Sequence, residues 1–145
     1  MVKDKIVILG AAGFIGMHLC KKLVDKNIKI LALIRNKKST EAKELLKMNV
    51  EILETGNLFK KKLFSKDLSK IKYLINLAAL AHINNKNFKK NLLHLKDINN
   101  IENNIIKNFS NKNLNILHIS SAKVSDKIEN NQTDYAKVKK KGESI

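Results

Sequence analysis

Short apolar runs alternate with longer amphipathic ones along the whole chain, and this alternation restricts the fold more than any other feature of the sequence. Runs of four to eight apolar residues suit buried strands, and apolar residues three and four apart suit helices. Lys5–Leu9 (KIVIL) reads as a strand, followed by a helix over Phe14–Asp25 with Phe14, Ile15, Leu19, Leu23 and Val24 on one side. Ile28–Ile34 is a second strand, and Ser39 or Thr40 caps a helix running to about Met48. Val50–Leu53 is a third strand, Phe59–Leu68 a lysine-rich helix, and Ile71–Ala78 a fourth strand. A helix over Asn91–Asn108, a fifth strand over Leu114–Ile119 and a last helix from about Thr133 complete the series. Strands alternating with helical crossovers form an α/β domain with a doubly wound parallel sheet. With no internal repeat or linker, residues 1–145 read as one such domain.

Composition removes several classes. The hydrophobic fraction of 43% supports a core. Proline is absent and glycine numbers 5, which excludes collagen-like and Pro/Gly-rich low-complexity chains. The single cysteine, Cys20, excludes an internal disulfide framework and reads as a small core residue. No metal site is expected, because His18, His82, His94 and His118 are far apart. Of these, His118 reads as packed along its strand, and His82 faces either a cleft or a loop. The formal charge is +16, yet all but one of the 29 basic residues are lysine, spread among asparagines. Aromatic residues are only 5%, so arginine forks and stacking platforms for nucleic acid are lacking. No nucleic-acid partner is expected, although the charge attracts anions such as phosphates.

The N-terminal MVKDK followed by an apolar run has the outline of a signal peptide. Asp4 lies in its basic part, no small-residue cleavage site follows, and HLCKKLV continues a helical pattern. No other stretch approaches the ~20 apolar residues of a membrane span. A cytoplasmic protein without a membrane partner is the expectation.

The chemistry begins at Gly10-Ala-Ala-Gly13-Phe-Ile-Gly16, which ends the first strand and opens the first helix. Three of the five glycines stand in this turn. A dinucleotide fingerprint needs that context: a tight turn at the first glycine, close approach of a pyrophosphate at the second, and helix–strand packing at the third. The spacing is GxxGxxG instead of GxGxxG. The end of the second strand commonly carries an acid for the ribose of NAD. Here Ile34 and Arg35 stand there, and no carboxylate is expected near. Arg35 either holds a 2′-phosphate, which favours NADP(H), or is an ordinary exposed cation.

The fifth strand ends at Ser120-Ser121, and Tyr135 and Lys139 lie four apart on the last helix, hence on one face. A free tyrosine of pKa ≈ 10 is ionised in only about one molecule in a thousand at pH 7. A neighbouring ammonium favours the phenolate and makes it a usable general base, and Ser121 can hydrogen-bond the same substrate oxygen.

Five segments carry a family resemblance: LGAAGFIG (Leu9–Gly16), NLAALAH (Asn76–His82), INNIEN (Ile98–Asn103), SSAKV (Ser120–Val124) and YAKVKKKGE (Tyr135–Glu143). In this order, the chain resembles extended short-chain dehydrogenases/reductases of the NAD-dependent epimerase/dehydratase group. It looks closest to the nucleotide-sugar branch of 4-epimerases and 4-ketoreductases of polysaccharide synthesis.

The resemblance implies a Rossmann-type sheet and an NAD(P) cofactor whose diphosphate is wrapped by Gly10, Gly13, Phe14, Ile15 and Gly16. It places Asn57 near the adenine, where the family usually has aspartate, and Leu77, Ala78 and Ala79 along the cofactor cleft. Asn99 would order the active site. Ser121, Tyr135 and Lys139 would be catalytic: Tyr135 takes a proton from a sugar hydroxyl while hydride passes to the nicotinamide. Lys139 would lower the tyrosine pKa and bind the nicotinamide ribose. Val124-Ser125-Asp126 departs from the family's usual VYG or VNG.

Family members continue past the YxxxK helix into further strands and a sugar-binding region. The sheet is therefore expected to be incomplete on its C-terminal side. The missing region would come from a complementing chain or homo-oligomer. The alternative is a non-catalytic NAD(P)-binding module or fragment.

Overall fold

A computed structural model describes residues 5–56, 68, 71–78, 103–104, 107–109, 113–119 and 140. Its strands are β1 (Ile6–Leu9), β2 (Ile30–Ile34), β3 (Glu51–Glu54), β4 (Tyr73–Asn76) and β5 (Asn115–His118). Two helices are described in full, α1 (Phe14–Asp25) and α2 (Thr40–Lys47). Each strand lies inside or within one residue of the run expected to form it. The ends are trimmed because ladder pairing, and not hydrophobicity alone, sets the limits. Helical backbone also occurs at residues 103–104, 107–108 and 140, inside the expected later helices. The expected helix at 59–68 lies outside the described residues except for Leu68, which is buried and non-helical.

The five strands form one parallel sheet in the order β3-β2-β1-β4-β5. The chain moves outward from β1 through β2 to β3, then returns to the other side of β1. The direction of winding therefore reverses between β1 and β4, which is where α/β sheets open a crevice for ligands.

Strand alternation divides the core between the two faces of the sheet. Val7, Leu9, Leu31, Leu33, Leu53 and Leu74 pack with Leu68 and Phe109 on one face. Ile8, Ile30, Ala32 and Ile34 pack on the other with Cys20 of α1 and Ala42 and Leu45 of α2. Burial on both faces explains why β2 reads ILALI with no polar residue.

The apolar side assigned to α1 needs correction at its start: Leu19, Leu23 and Val24 pack against the core as expected, but Phe14 and Ile15 do not. Gly16 and Cys20 are its buried residues, whereas Phe14 is 82% exposed and Ile15 62% exposed. Close approach of Gly16 to the β1–α1 turn decides which side faces the sheet. Phe14 and Ile15 are carried to the outside, where the Phe14 ring meets His18 at 4.6 Å. Burial pushes the Cys20 thiol from its usual 9.0 up to about 11.

Both helices end in the same way. After α1, Ile28 N–H donates to Leu23 O and Asn27 N–H to Val24 O; after α2, Val50 N–H donates to Leu45 O and Asn49 N–H to Leu46 O. Asn27 and Asn49 adopt left-handed φ values of 56° and 58°. These are Schellman motifs with asparagine in the left-handed position, and each turns the chain back toward the next strand.

Two stability predictions follow from these contacts. Asn49→Val should lower unfolding free energy by about 1–2 kcal/mol, because a β-branched residue resists the left-handed conformation. Denaturant titration checks it. The raised Cys20 pKa means that the folded state holds its proton more tightly than the unfolded chain. Its contribution is intact below about pH 9 and is lost between pH 9 and about pH 11. The unfolding free energy of wild type minus that of Cys20→Ala should therefore fall over that window.

Candidate functional site

β1 delivers the glycine-rich turn to the point where the winding reverses. Gly10 has φ of +78°, and a Cβ there would stand 3.0 Å from both the Ala78 nitrogen and the Leu77 carbonyl carbon. Backbone of the β4 end thus occupies the space a side chain would need. Gly13 N–H donates to Gly10 O at 3.0 Å, which closes the turn, and Met17 N–H donates to Gly13 O to begin α1. A Cβ on Gly16 would collide with the Gly10 carbonyl oxygen and come within 2.6 Å of the Ala11 carbonyl oxygen. Only glycine fits here, and its absent side chain lets α1 pack directly on the turn.

The two helix N-termini differ in a way that bears on function. Ser39 caps α2: its hydroxyl accepts the Ala42 N–H at 3.1 Å, and Glu41 lies in the first turn. Gly13 begins α1 with no side-chain cap and no acidic residue in the first turn. The first-turn N–H groups and the positive end of the helix dipole at α1 are thus available to an external anion. A turn with glycine at its first and last positions beside an uncapped helix fits a dinucleotide diphosphate. In that fit Gly10, Gly13, Phe14, Ile15 and Gly16 provide the backbone cradle.

The end of β4 packs against this turn. Leu77 N–H donates to Leu9 O at 3.0 Å, joining the two strand ends. Asn76, almost fully buried, uses both ends of its amide. Its Oδ1 accepts the Ala78 N–H at 3.1 Å, and its Nδ2 lies 3.2 Å from His118 Nδ1 on β5. Asn76 therefore positions the Leu77–Ala78 backbone against Gly10, a role that sequence reading missed. Its signal was one polar residue inside the apolar run YLINLA. His118 is packed in this contact, as expected.

At the end of β2, Arg35 is exposed and forms no side-chain hydrogen bond or ion pair among the described residues. The expectation that no carboxylate stands nearby is corrected. Parallel register sets Glu54 opposite Ile34, and its Oε1 accepts the Lys37 N–H at 3.3 Å. Glu54 lies nineteen positions after Arg35, so local sequence could not show this neighbour.

The described residues bring together Gly10, Gly13, Phe14, Ile15, Gly16, Leu77 and Ala78, with Arg35 at the end of the next strand. Asn57, Ala79, Asn99, Ser121, Tyr135 and Lys139 lie outside the described residues. A separate open groove of about 460 Å³ runs between α1 and α2, lined by Met17, His18, Lys21, Glu44, Lys47 and Met48. It contains none of the cofactor candidates. Among the described residues no group of three His, Cys, Asp or Glu could hold a metal, and no helix is long and apolar enough to cross a membrane.

The model of the NAD dependent epimerase/dehydratase family matches residues 6–142. The chain belongs to this family, an enzyme family named for its nicotinamide cofactor. Solved structures share the fold. One is an NAD dependent NDP-hexosamine 5,6-dehydratase, TunA, of tunicamycin biosynthesis (22% identity, TM-score 0.70, 98% of this chain and 48% of that one). A second is the UDP-N-acetylglucosamine 4-epimerase from Bacillus cereus (18% identity, TM-score 0.64, 99% and 47%). A third is Gre2 from Candida albicans in complex with NADPH (26% identity, TM-score 0.65, 83% and 38%). The chain thus spans less than half the length of each of these three. No curated protein sequence matches it.

Gly16→Ala should destabilise the domain by roughly 3 kcal/mol, since backbone and not a movable side chain blocks the new methyl. Nucleotide affinity should fall with it, as chemical unfolding and fluorescence titration would show.

Proposed function

We propose that this chain is the NAD(P)-binding part of a nucleotide-sugar 4-epimerase or 4-ketoreductase that works in the cytoplasm in surface polysaccharide synthesis. The observation that carries the proposal is the uncapped α1 N-terminus on a glycine-rich turn, at the reversal point between β1 and β4. Two of the structural relatives, a dehydratase and a 4-epimerase, act on nucleotide sugars by their printed names, which supports the substrate class.

In this reading the turn from Gly10 to Gly16 holds the diphosphate, Leu77, Ala78 and Ala79 flank the bound nucleotide, and Asn57 contacts the adenine. Asn99 helps order the active site. The nicotinamide, when bound, supplies a hydride acceptor and donor at a sugar carbon. Tyr135 takes the proton from the sugar hydroxyl at its phenolic oxygen. Lys139 lowers the tyrosine pKa through its positive charge, and Ser121 hydrogen-bonds the sugar oxygen.

NADP(H) is the proposed cofactor form. Arg35 stands at the end of β2 with its guanidinium uncommitted among the described residues, as a 2′-phosphate partner must be. The NADPH complex of Gre2 agrees with this preference.

Titration of the purified chain with NADPH and NADH, read by nucleotide fluorescence and thermal shift, tests the cofactor reading. Saturable binding with NADPH preferred is expected, and Arg35→Ala should weaken NADPH binding roughly tenfold while sparing NADH. Binding of neither nucleotide would refute the reading. With the sugar-binding region present, Tyr135→Phe should abolish turnover and leave cofactor affinity intact. Unchanged turnover would remove Tyr135 from the mechanism.

A further inference from the structure

The segment joining β2 to α2 is short, yet it is tied at both ends of the dipeptide Arg35-Asn36. On one side, Ile34 O accepts both the backbone N–H of Thr55, at 2.8 Å, and the Thr55 hydroxyl, at 3.1 Å. Thr55 is almost fully buried, so this grip is part of the core. On the other side, Glu54 Oε1 accepts the Lys37 N–H at 3.3 Å. Two consecutive residues at the end of β3 therefore hold the backbone just before and just after Arg35-Asn36.

The remaining ties are internal to the segment. Asn36 Oδ1 accepts the Lys38 N–H at 2.8 Å, and Asn36 O accepts the Ser39 N–H at 3.4 Å. They shape the loop but do not fix it to the sheet. Among the described hydrogen bonds, the one from Lys37 to Glu54 joins the far side of the loop to a neighbouring strand.

We propose that Glu54 is a positioning residue for nucleotide selectivity: its carboxylate, by holding the Lys37 N–H, fixes the β2–α2 loop so that Arg35 faces the ribose end of the bound nucleotide. This rests on the reading of Arg35 given above. Arg35 would touch the 2′-phosphate, and Glu54 acts only through the loop.

A carboxylate beside a phosphate site has two opposing effects. Its charge repels the 2′-phosphate, while its hydrogen bond orders the cation that binds it. Two substitutions separate them. Glu54→Gln removes the charge and keeps a carbonyl oxygen to accept from Lys37. Glu54→Ala removes both. Any difference between these two variants therefore reports the hydrogen bond, because neither carries the charge.

The test is titration of the intact wild-type chain, Glu54→Gln and Glu54→Ala with NADPH and with NADH. Glu54→Gln should bind NADPH at least as tightly as wild type. Glu54→Ala should bind it roughly three- to tenfold more weakly than Glu54→Gln, as expected for loss of one exposed hydrogen bond, with NADH affinity within about twofold. NADH binding also shows that the alanine variant is folded. Equal NADPH affinity of the two variants would overturn the proposal, as would an equal loss for both nucleotides in Glu54→Ala. Wild type binding NADH with no preference for NADPH would overturn the reading of Arg35. Binding of neither nucleotide by wild type would overturn the cofactor reading itself.

Discussion

Gly16 lies against the carbonyls of Gly10 and Ala11 with no room for a Cβ, and the arrangement of the domain around its crevice depends on that contact. It brings α1 onto the end of β1. It also places the uncapped helix N-terminus at the end of β1, where the direction of winding reverses toward β4. Gly10 makes a second close approach, to Leu77 and Ala78, so the turn is packed between its own helix and the neighbouring strand end. An anion placed there meets backbone N–H groups held in fixed directions.

The sheet around this turn is graded from centre to edge. β1 and β2 are buried on both faces, whereas Ile116 and Leu117, on opposite faces of β5, are 47% and 55% exposed. Among the described residues, the glycine turn and Arg35 are thus carried by the best-buried pair of strands. The two asparagine-terminated helices return the chain to β2 and β3. The Glu54–Thr55 pair at the end of β3 ties the β2–α2 loop to the sheet.

Much of this was legible in the amino-acid order. The five strands and both described helices fall where apolar periodicity places them, because a two-sided parallel sheet demands continuous apolar runs between amphipathic crossovers. The glycine turn was legible for a similar reason: few residues other than glycine satisfy a left-handed turn and a Cβ-free contact at that spacing. The outward placement of the first residues of α1 was not, although Leu19, Leu23 and Val24 pack inward as their spacing suggests. Phe14 and Ile15 look like core residues by type and spacing, yet the packing of the small Gly16 turns them outward. Hydrophobicity counted along the helix cannot weigh a close contact made by a residue with no side chain.

By itself, the sequence determined the class of fold, the strand positions and the place of the glycine-rich turn. Each depends on local periodicity or on the conformational range of one residue. Tertiary structure alone decided which strands become neighbours, and with that the partners of the site. Asn76 meets His118 across 42 positions, and Glu54 meets Lys37 across 17. Those contacts come from sheet register, a property of chain segments distant in sequence, and no local pattern of residues encodes it.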